Sequence, residues 1–144
     1  MSAARAHAAA VAIRVATADD AENLHGMLLE LARDTGLPEK IRSKPDDLRR
    51  LGFRERPAFH ALIAERQDKP LGLSLFFYNF SSWRGELGVY VQDLYVAEDA
   101  RGTGLGRRLV EETVRLGRLQ GATHLRLSVD RGNEAAQRFY RGLG

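Results

Sequence analysis

Residues 101–106 read RGTGLG and stand between a strand-like segment, VYVQDLYV, and a helix-like segment, RRLVEETVRLGRL. Glycine permits sharp turns and lets a ligand approach the main chain. Because the first N–H groups of a helix have no intrahelical partner, this turn predicts a site for a phosphate-bearing anion. Arg107 follows Gly106 where a P-loop has lysine, and the spacing departs from G-x-G-x-x-G. The alternative is a plain glycine turn without a ligand.

Composition narrows the chemistry that could accompany this turn. The chain has 144 residues, 44% of them hydrophobic, which predicts one domain with its own core. It has no cysteine, so disulfides, zinc–thiolate sites and a thiol nucleophile are excluded. Lys and Arg number 22 against 19 acids and are spread along the chain, so we expect no nucleic-acid partner. His25 and His60 are isolated, and no metal site is expected.

No apolar run reaches transmembrane length, so we expect no membrane partner and a cytoplasmic location.

Hydrophobic periodicity predicts the order β-α-α-β-β-β-α-β-α. The predicted elements are a strand at 11–16, a helix from TADD to near Gly36, a short helix after Pro45, strands at 58–65, 71–80 and 86–96, a helix from Leu105, a strand at 124–129 and a helix at 133–143.

The chain ends at Gly144, directly after the last predicted helix. A fold of this order normally adds a strand there, which would cover an otherwise exposed sheet edge. We therefore predict a single domain over 1–144 that lacks its final strand or receives one from another subunit.

Three segments carry a resemblance to a known family. QDLYVAEDARGTGLGRRLVEE resembles the cofactor motif of the GNAT N-acetyltransferases, R/Q-x-x-G-x-G/A, with Arg101, Gly104 and Gly106 in register. NEAAQRFYRGLG resembles the family's closing segment, and FFYNFSSWRGELGVYVQDLYV is similar to its diamine and polyamine group. The resemblance implies an α/β fold of the α+β type, with a mixed, mostly antiparallel sheet and helices on both faces. It also implies acetyl-CoA as co-substrate and a primary amine as acceptor.

The resemblance assigns cofactor contacts mainly to the backbone. Three residues at the end of the central strand would hold the pantetheine arm in a β-like pairing, namely Leu94, Tyr95 and Val96. The N–H groups of the turn would receive the pyrophosphate, from Arg101, Gly102, Thr103, Gly104, Leu105, Gly106 and Arg107. Asn133 would add a contact to the cofactor, and its alternative role is a helix cap.

The resemblance also nominates the groups that move protons. Tyr140 matches the tyrosine that protonates the departing sulfur, although an aromatic packed beside Phe139 is the structural alternative. Gln92 stands where many polyamine acetyltransferases have glutamate, and an amide cannot act as a base. Asp93 would point to the opposite sheet face in a regular strand, unless a bulge of the kind common in this superfamily redirects it. It would then attract the ammonium group or begin a water relay, or else form a structural salt bridge.

Three further residues are candidates for the amine pocket: Glu30, Tyr78 and Trp83. Aromatic faces attract ammonium groups, but each residue also has an ordinary surface or core role. A domain that binds acyl-CoA without turnover is the alternative function, favoured by Gln92 and opposed by Tyr140. The acceptor could also be a protein amine, an amino acid or an aminoglycoside. A homodimer is expected from the resembling group.

Overall fold

The structure, a computed structural model, describes residues 11–128. Five strands form one sheet in the order β1-β2-β3-β4-β5, with only the β4–β5 pair parallel. The strands are β1 (Ala12–Val15), β2 (His60–Arg66), β3 (Lys69–Ser81), β4 (Glu86–Val96) and β5 (His124–Leu127). The helices are α1 (Ala21–Asp34), α2 (Pro45–Gly52) and α3 (Leu105–Leu119). Short 3-10 turns occupy Ala18–Asp20, Pro38–Lys40 and Glu98–Ala100.

This architecture confirms the predicted α+β class and the mixed, mostly antiparallel sheet with helices on both faces. The helix predicted at 133–143, and with it the question of a final strand, lies outside the described residues. No helix in the range 11–128 is long and apolar enough to cross a bilayer.

Helices α1 and α2 cover one face of the sheet. Their buried Leu24, Met27, Leu28 and Leu48 pack in one cluster with the strand residues Ala61, Ile63, Leu73, Leu75 and Tyr95. Asp20 fixes the start of α1, because its carboxylate accepts a 2.7 Å hydrogen bond from the Thr17 N–H and two 2.8 Å bonds from Arg14. Arg14 also pairs with Glu65, so the entry to α1 is tied to β1 and β2.

Helix α3 covers the opposite face. Leu105 and Leu109 pack with Leu62, Phe76 and Val91 of the sheet in a second buried cluster. A polar pair lies inside this layer, where the hydroxyls of Ser74 and Thr113 are 2.8 Å apart. The apolar residues that recur with a 3.6-residue period along α3 are all buried or half-buried, and they are Leu105, Leu109, Val110, Thr113, Leu116 and Gly117.

A β-bulge interrupts β4 at Gln92. Leu75 is opposite Asp93 while Phe76 is opposite Val91, so Gln92 is an extra residue with no partner on β3. One inserted residue reverses the alternation of side chains that follow it. Val91 before the bulge and Leu94 after it therefore both face α3. The same reversal turns Asp93 and Tyr95 toward α1, and Tyr95 packs in the α1 cluster.

Candidate active site

The glycine turn is shaped by two left-handed residues. Gly102 and Gly104 have φ of 79° and 83°, a region that residues with a Cβ rarely adopt. Gly104 caps α3, which begins at Leu105. Within the described part of the chain, no N–H of residues 102–107 donates a hydrogen bond to a protein group. These donors lie at the positive end of the α3 dipole, an arrangement that suits an anion.

The Arg101 side chain joins this turn to both neighbouring elements. Its Nε donates to the Val96 carbonyl oxygen at 2.9 Å, and its guanidinium forms a 2.5 Å ion pair with Asp34 in the last turn of α1. Thr103 fixes the turn from within, because its hydroxyl donates to the Ala100 carbonyl oxygen at 2.6 Å. The turn is thus held by its own side chains while its N–H groups remain directed outward.

The second half of β4 has one edge without a strand neighbour in the described residues. The pairing of β4 with β5 extends to Val91, whose carbonyl accepts the Ser128 N–H at 3.0 Å. Beyond that point, the pairs that Leu94, Tyr95 and Val96 make within residues 11–128 are all with β3, opposite Ser74, Leu73 and Gly72. Main-chain groups on the β5 side of this segment can therefore pair with an extended ligand.

A cleft of about 750 Å³ opens between this part of β4 and the two helices above it. Its walls are mostly apolar and come from α1, α2, β3 and the connection between the helices, including Leu28, Leu31, Ile41, Leu48, Phe59 and Phe77. Gly52 makes room for one wall, since a Cβ there would lie 2.2 Å from Cζ of Phe59. Gln92, Asp93 and Leu94 contribute the β4 side.

Asp93 is the carboxylate in this cleft. No group in the described residues donates a hydrogen bond to it or pairs with it, and it is mostly surrounded by apolar side chains. Desolvation by this burial raises the pKa of Asp93 to about 6. The group is therefore a carboxylate near neutral pH whose charge is uncompensated by any group within residues 11–128. A cation in the cleft would supply the missing compensation.

The other predicted site residues separate into three groups. Gln92 is exposed at the bulge and lines the cleft beside Asp93. Glu30, Tyr78 and Trp83 do not line the cleft: Glu30 forms an exposed ion pair with Arg33, Tyr78 packs on the α3 side of the sheet, and Trp83 is 99% exposed in the β3–β4 turn. Tyr140 and Asn133 lie outside the described residues.

Several residues that line the cleft were not predicted from the sequence. The sequence could have predicted the position of Phe77, because Leu73, Leu75 and Phe77 alternate along β3 and share the face toward α1. No sequence pattern predicts the position of Lys40, since this residue ends a 3-10 turn whose position over the cleft depends on how α1 and α2 pack.

Comparison with known proteins gives the family of this fold. Residues 24–144 match the model of the acetyltransferase (GNAT) family. Bovine (Bos taurus) thialysine N-epsilon-acetyltransferase is 31% identical over 142 residues, which cover 93% of this chain and 83% of that protein. Human (Homo sapiens) spermidine/spermine N(1)-acetyltransferase-like protein 1 is 27% identical over 92% of this chain and 20% of its own, longer length.

Solved structures agree on the fold. An aminoglycoside acetyltransferase from an uncultured soil metagenomic sample, determined in complex with sisomicin, has a TM-score of 0.79 at 16% identity, covering 93% of this chain and 87% of the other. The chain belongs to the GNAT acetyltransferase family, and its resemblance to the diamine and polyamine group is confirmed. It is an enzyme that transfers an acetyl group to an amine.

Proposed function

We propose that the chain transfers an acetyl group from acetyl-CoA directly to a primary amine of a small molecule, without an acetyl-enzyme intermediate. The observation that carries this proposal is the carboxylate of Asp93, which has no partner in the described part of the chain and lies in an apolar cleft next to a β4 edge that can pair with an extended ligand. The absence of cysteine from the sequence agrees with direct transfer. The names of the relatives, thialysine and spermidine/spermine acetyltransferases, support a small amine such as a diamine, polyamine or lysine-like compound.

The co-substrate would be held largely by backbone groups. The pantetheine arm would pair with the β4 edge at Leu94, Tyr95 and Val96 that has no strand neighbour within residues 11–128. The pyrophosphate would accept hydrogen bonds from the N–H groups of residues 102–107, because the Arg101 N–H already donates to the Glu98 carbonyl oxygen. The thioester would then reach the bulge, where Asp93 and Gln92 line the cleft.

The acceptor must lose a proton before it attacks. An alkyl ammonium has a pKa of about 10.4, so roughly one molecule in a thousand is neutral at pH 7. The Asp93 carboxylate would bind the ammonium group and accept its proton directly or through water. Gln92 would orient the amine or that water, because its amide can donate and accept hydrogen bonds but cannot take the proton.

The reaction then balances as one displacement. The amine nitrogen forms a bond to the thioester carbon, the carbon–sulfur bond breaks, and the sulfur leaves with the bonding electrons. Tyr140 would donate a proton to that sulfur, so that the products are an acetamide and the CoA thiol. The role of Tyr140, like that of Asn133 at the cofactor, rests on the family motif in the sequence.

The test is release of CoA thiol, followed with a disulfide dye, against polyamines, diamines, lysine analogues, aminoglycosides and peptides. The protein contributes no background, because it has no cysteine. We expect turnover with small amines and a decrease of about 100-fold in kcat for Tyr140→Phe. Tyr78→Phe is the matched control, since Tyr78 packs on the α3 side of the sheet, does not line the cleft and should retain activity.

Two results would count against the proposal. Binding of acetyl-CoA by calorimetry without turnover of any amine would identify a non-catalytic acyl-CoA binder. Preference for peptides over every small amine would move the acceptor to a protein. The expected cytoplasmic location and homodimer stay predictions, to be checked by cell fractionation and by mass measurement in solution.

A further inference from the structure

The connection between α1 and α2, residues 35–44, forms one wall of the cleft. Five of its residues line the space that Asp93 also lines, namely Thr35, Leu37, Lys40, Ile41 and Ser43. Most of the other lining residues belong to helices or to the central sheet. Residues 41–44 belong to no helix or strand, so their distance from α1 depends on the individual contacts that hold them.

His25 supplies such a contact from α1. Its side chain is buried, and it lies one helical turn before Leu28 of the cleft wall. The Nε2 atom of His25 is 2.6 Å from the Ser43 carbonyl oxygen. A carbonyl oxygen only accepts hydrogen bonds, so Nε2 carries a proton and donates it. This bond joins the first half of α1 to the far end of the connection.

The connection has few other hydrogen bonds to α1. Residues 35–37 continue the last turn of the helix, and the backbone bonds of the 3-10 turn after them are local to that turn. The Lys44 N–H donates forward, to the Asp47 carboxylate in α2. In the described part of the chain, the bond from His25 is therefore the one that ties residues 38–44 back to α1.

Loss of this bond would affect the two substrates unequally. Without the donor, the Ser43 carbonyl loses its partner and the connection is free to move away from α1. An amine in the cleft would then lose its contacts with Ile41 and Ser43. Acetyl-CoA is proposed to bind along the end of β4 and at the glycine turn, and the connection belongs to neither.

We propose that His25 is a positioning residue for the acceptor amine, because its hydrogen bond to the Ser43 carbonyl holds the connection as the wall against which the amine binds. The inference rests on the proposed acetyl transfer in this cleft and adds a residue that acts on one of the two substrates. His25 does not itself line the cleft, so it acts through residues 41–43.

The test compares two variants of His25. His25→Phe keeps a ring but removes the donor, whereas His25→Gln presents a side-chain N–H at a similar reach. The acceptor is the best of 1,5-diaminopentane, spermidine and lysine, and CoA thiol release is measured. We expect His25→Phe to raise the KM for the amine by about three- to tenfold. The kcat and the KM for acetyl-CoA should stay within about twofold, because the wall contacts the amine equally in the ground and transition states.

Rescue and a matched control accompany this measurement. His25→Gln should restore most of the parent KM for the amine. His60→Phe is the control, because His60 stacks on Phe76 with ring centroids 5.6 Å apart and does not line the cleft. Both KM values should stay near those of the parent protein in that variant. If His25→Phe does not fold, His25→Met also removes the donor and takes its place.

A purely structural role for His25 gives a different result. Loss of folded protein lowers the apparent kcat and leaves both KM values unchanged. That pattern, an equal rise in both KM values, or equal effects of His25→Gln and His25→Phe overturns the inference and leaves the acetyltransferase proposal intact.

NMR order parameters of the Arg42 and Ser43 N–H groups follow the connection without any turnover. We expect them to fall in His25→Phe and to stay unchanged in His60→Phe. If no amine is acetylated, the proposed function fails. Order parameters that fall in His25→Phe would then still support His25 as the anchor of the connection, and unchanged values would overturn it.

Discussion

The glycine turn and the cleft are built in opposite ways. The turn is a single stretch, residues 101–106, and what it offers a ligand is the backbone N–H groups at the start of α3, which have no partner within the described residues. The cleft draws side chains from both early helices, their connection and two strands, and it depends on an extra residue in β4. Backbone recognition tolerates most side-chain changes but few changes at glycine, whereas the cleft can change its ligand by changing one side chain.

The largest expected effect tests the turn. Gly104→Val places a β-branched residue at φ 83° and fills the approach to the N–H groups, so acetyl-CoA affinity should fall by at least about 100-fold. Calorimetry measures the dissociation constant. Gly26→Val is the control, because Gly26 is exposed on α1 with no atom near its Cβ position, and affinity should change by less than about twofold. Equal losses in both variants would mean that the turn has no special role.

The second largest expected effect is on the pH dependence of kcat/KM, and it tests the role of Asp93 in the cleft. With Asp93 as proton acceptor, kcat/KM should rise with pH up to about 6, where its pKa lies, and then stay level while the amine remains an ammonium ion. In Asp93→Asn only the neutral amine reacts, so activity should be at least about tenfold lower near neutrality and should climb up to about pH 10. Asp46→Asn, at an exposed ion pair, should keep the parent profile. An unchanged profile in Asp93→Asn contradicts the assignment.

Asp93 should also make stability depend on pH. Its pKa is about 6 in the folded protein against 3.8 in the unfolded chain, so the folded state binds the proton more tightly. Folding stability therefore falls as pH rises between these values, and the full cost, up to about 3 kcal/mol, is present above pH 6. Urea unfolding should show Asp93→Asn more stable than the parent near pH 7.5 and equal to it near pH 4. A destabilised variant near pH 7.5 would indicate a structural role instead.

The smallest effect concerns the ion pair that joins the two regions. Asp34→Asn removes the partner of the Arg101 guanidinium but leaves the bond from Nε to the Val96 carbonyl. Because the pair is exposed, we expect a loss of no more than about 1 kcal/mol in unfolding free energy and at most a few-fold change in the KM for acetyl-CoA. Added salt should reduce the difference from the parent protein. A larger loss of affinity would make Asp34 part of the cofactor site.

The sequence also predicted the two regions unequally well, the glycine turn better than the cleft. The sequence located α3, β4 and the turn between them within a residue or two, because hydrophobic period and glycine chemistry are local properties. Glu30, Tyr78 and Trp83 were chosen for chemistry alone, and the fold directs them away from the cleft. Phe77 could have been found by extending the alternation of Leu73 and Leu75 to the end of the strand.

The sequence by itself determined the order of the elements within residues 11–128, the buried face of α3 and the glycine turn before it, since each depends on residues that are neighbours along the chain. Tertiary structure decided which face Asp93 occupies, because a bulge is defined by the register of two strands and not by either strand alone. It also decided that the acids of α1 and α2 are paired with arginine and that Lys40 lines the cleft. Those contacts form only when distant segments pack together, and they give this cleft its charge.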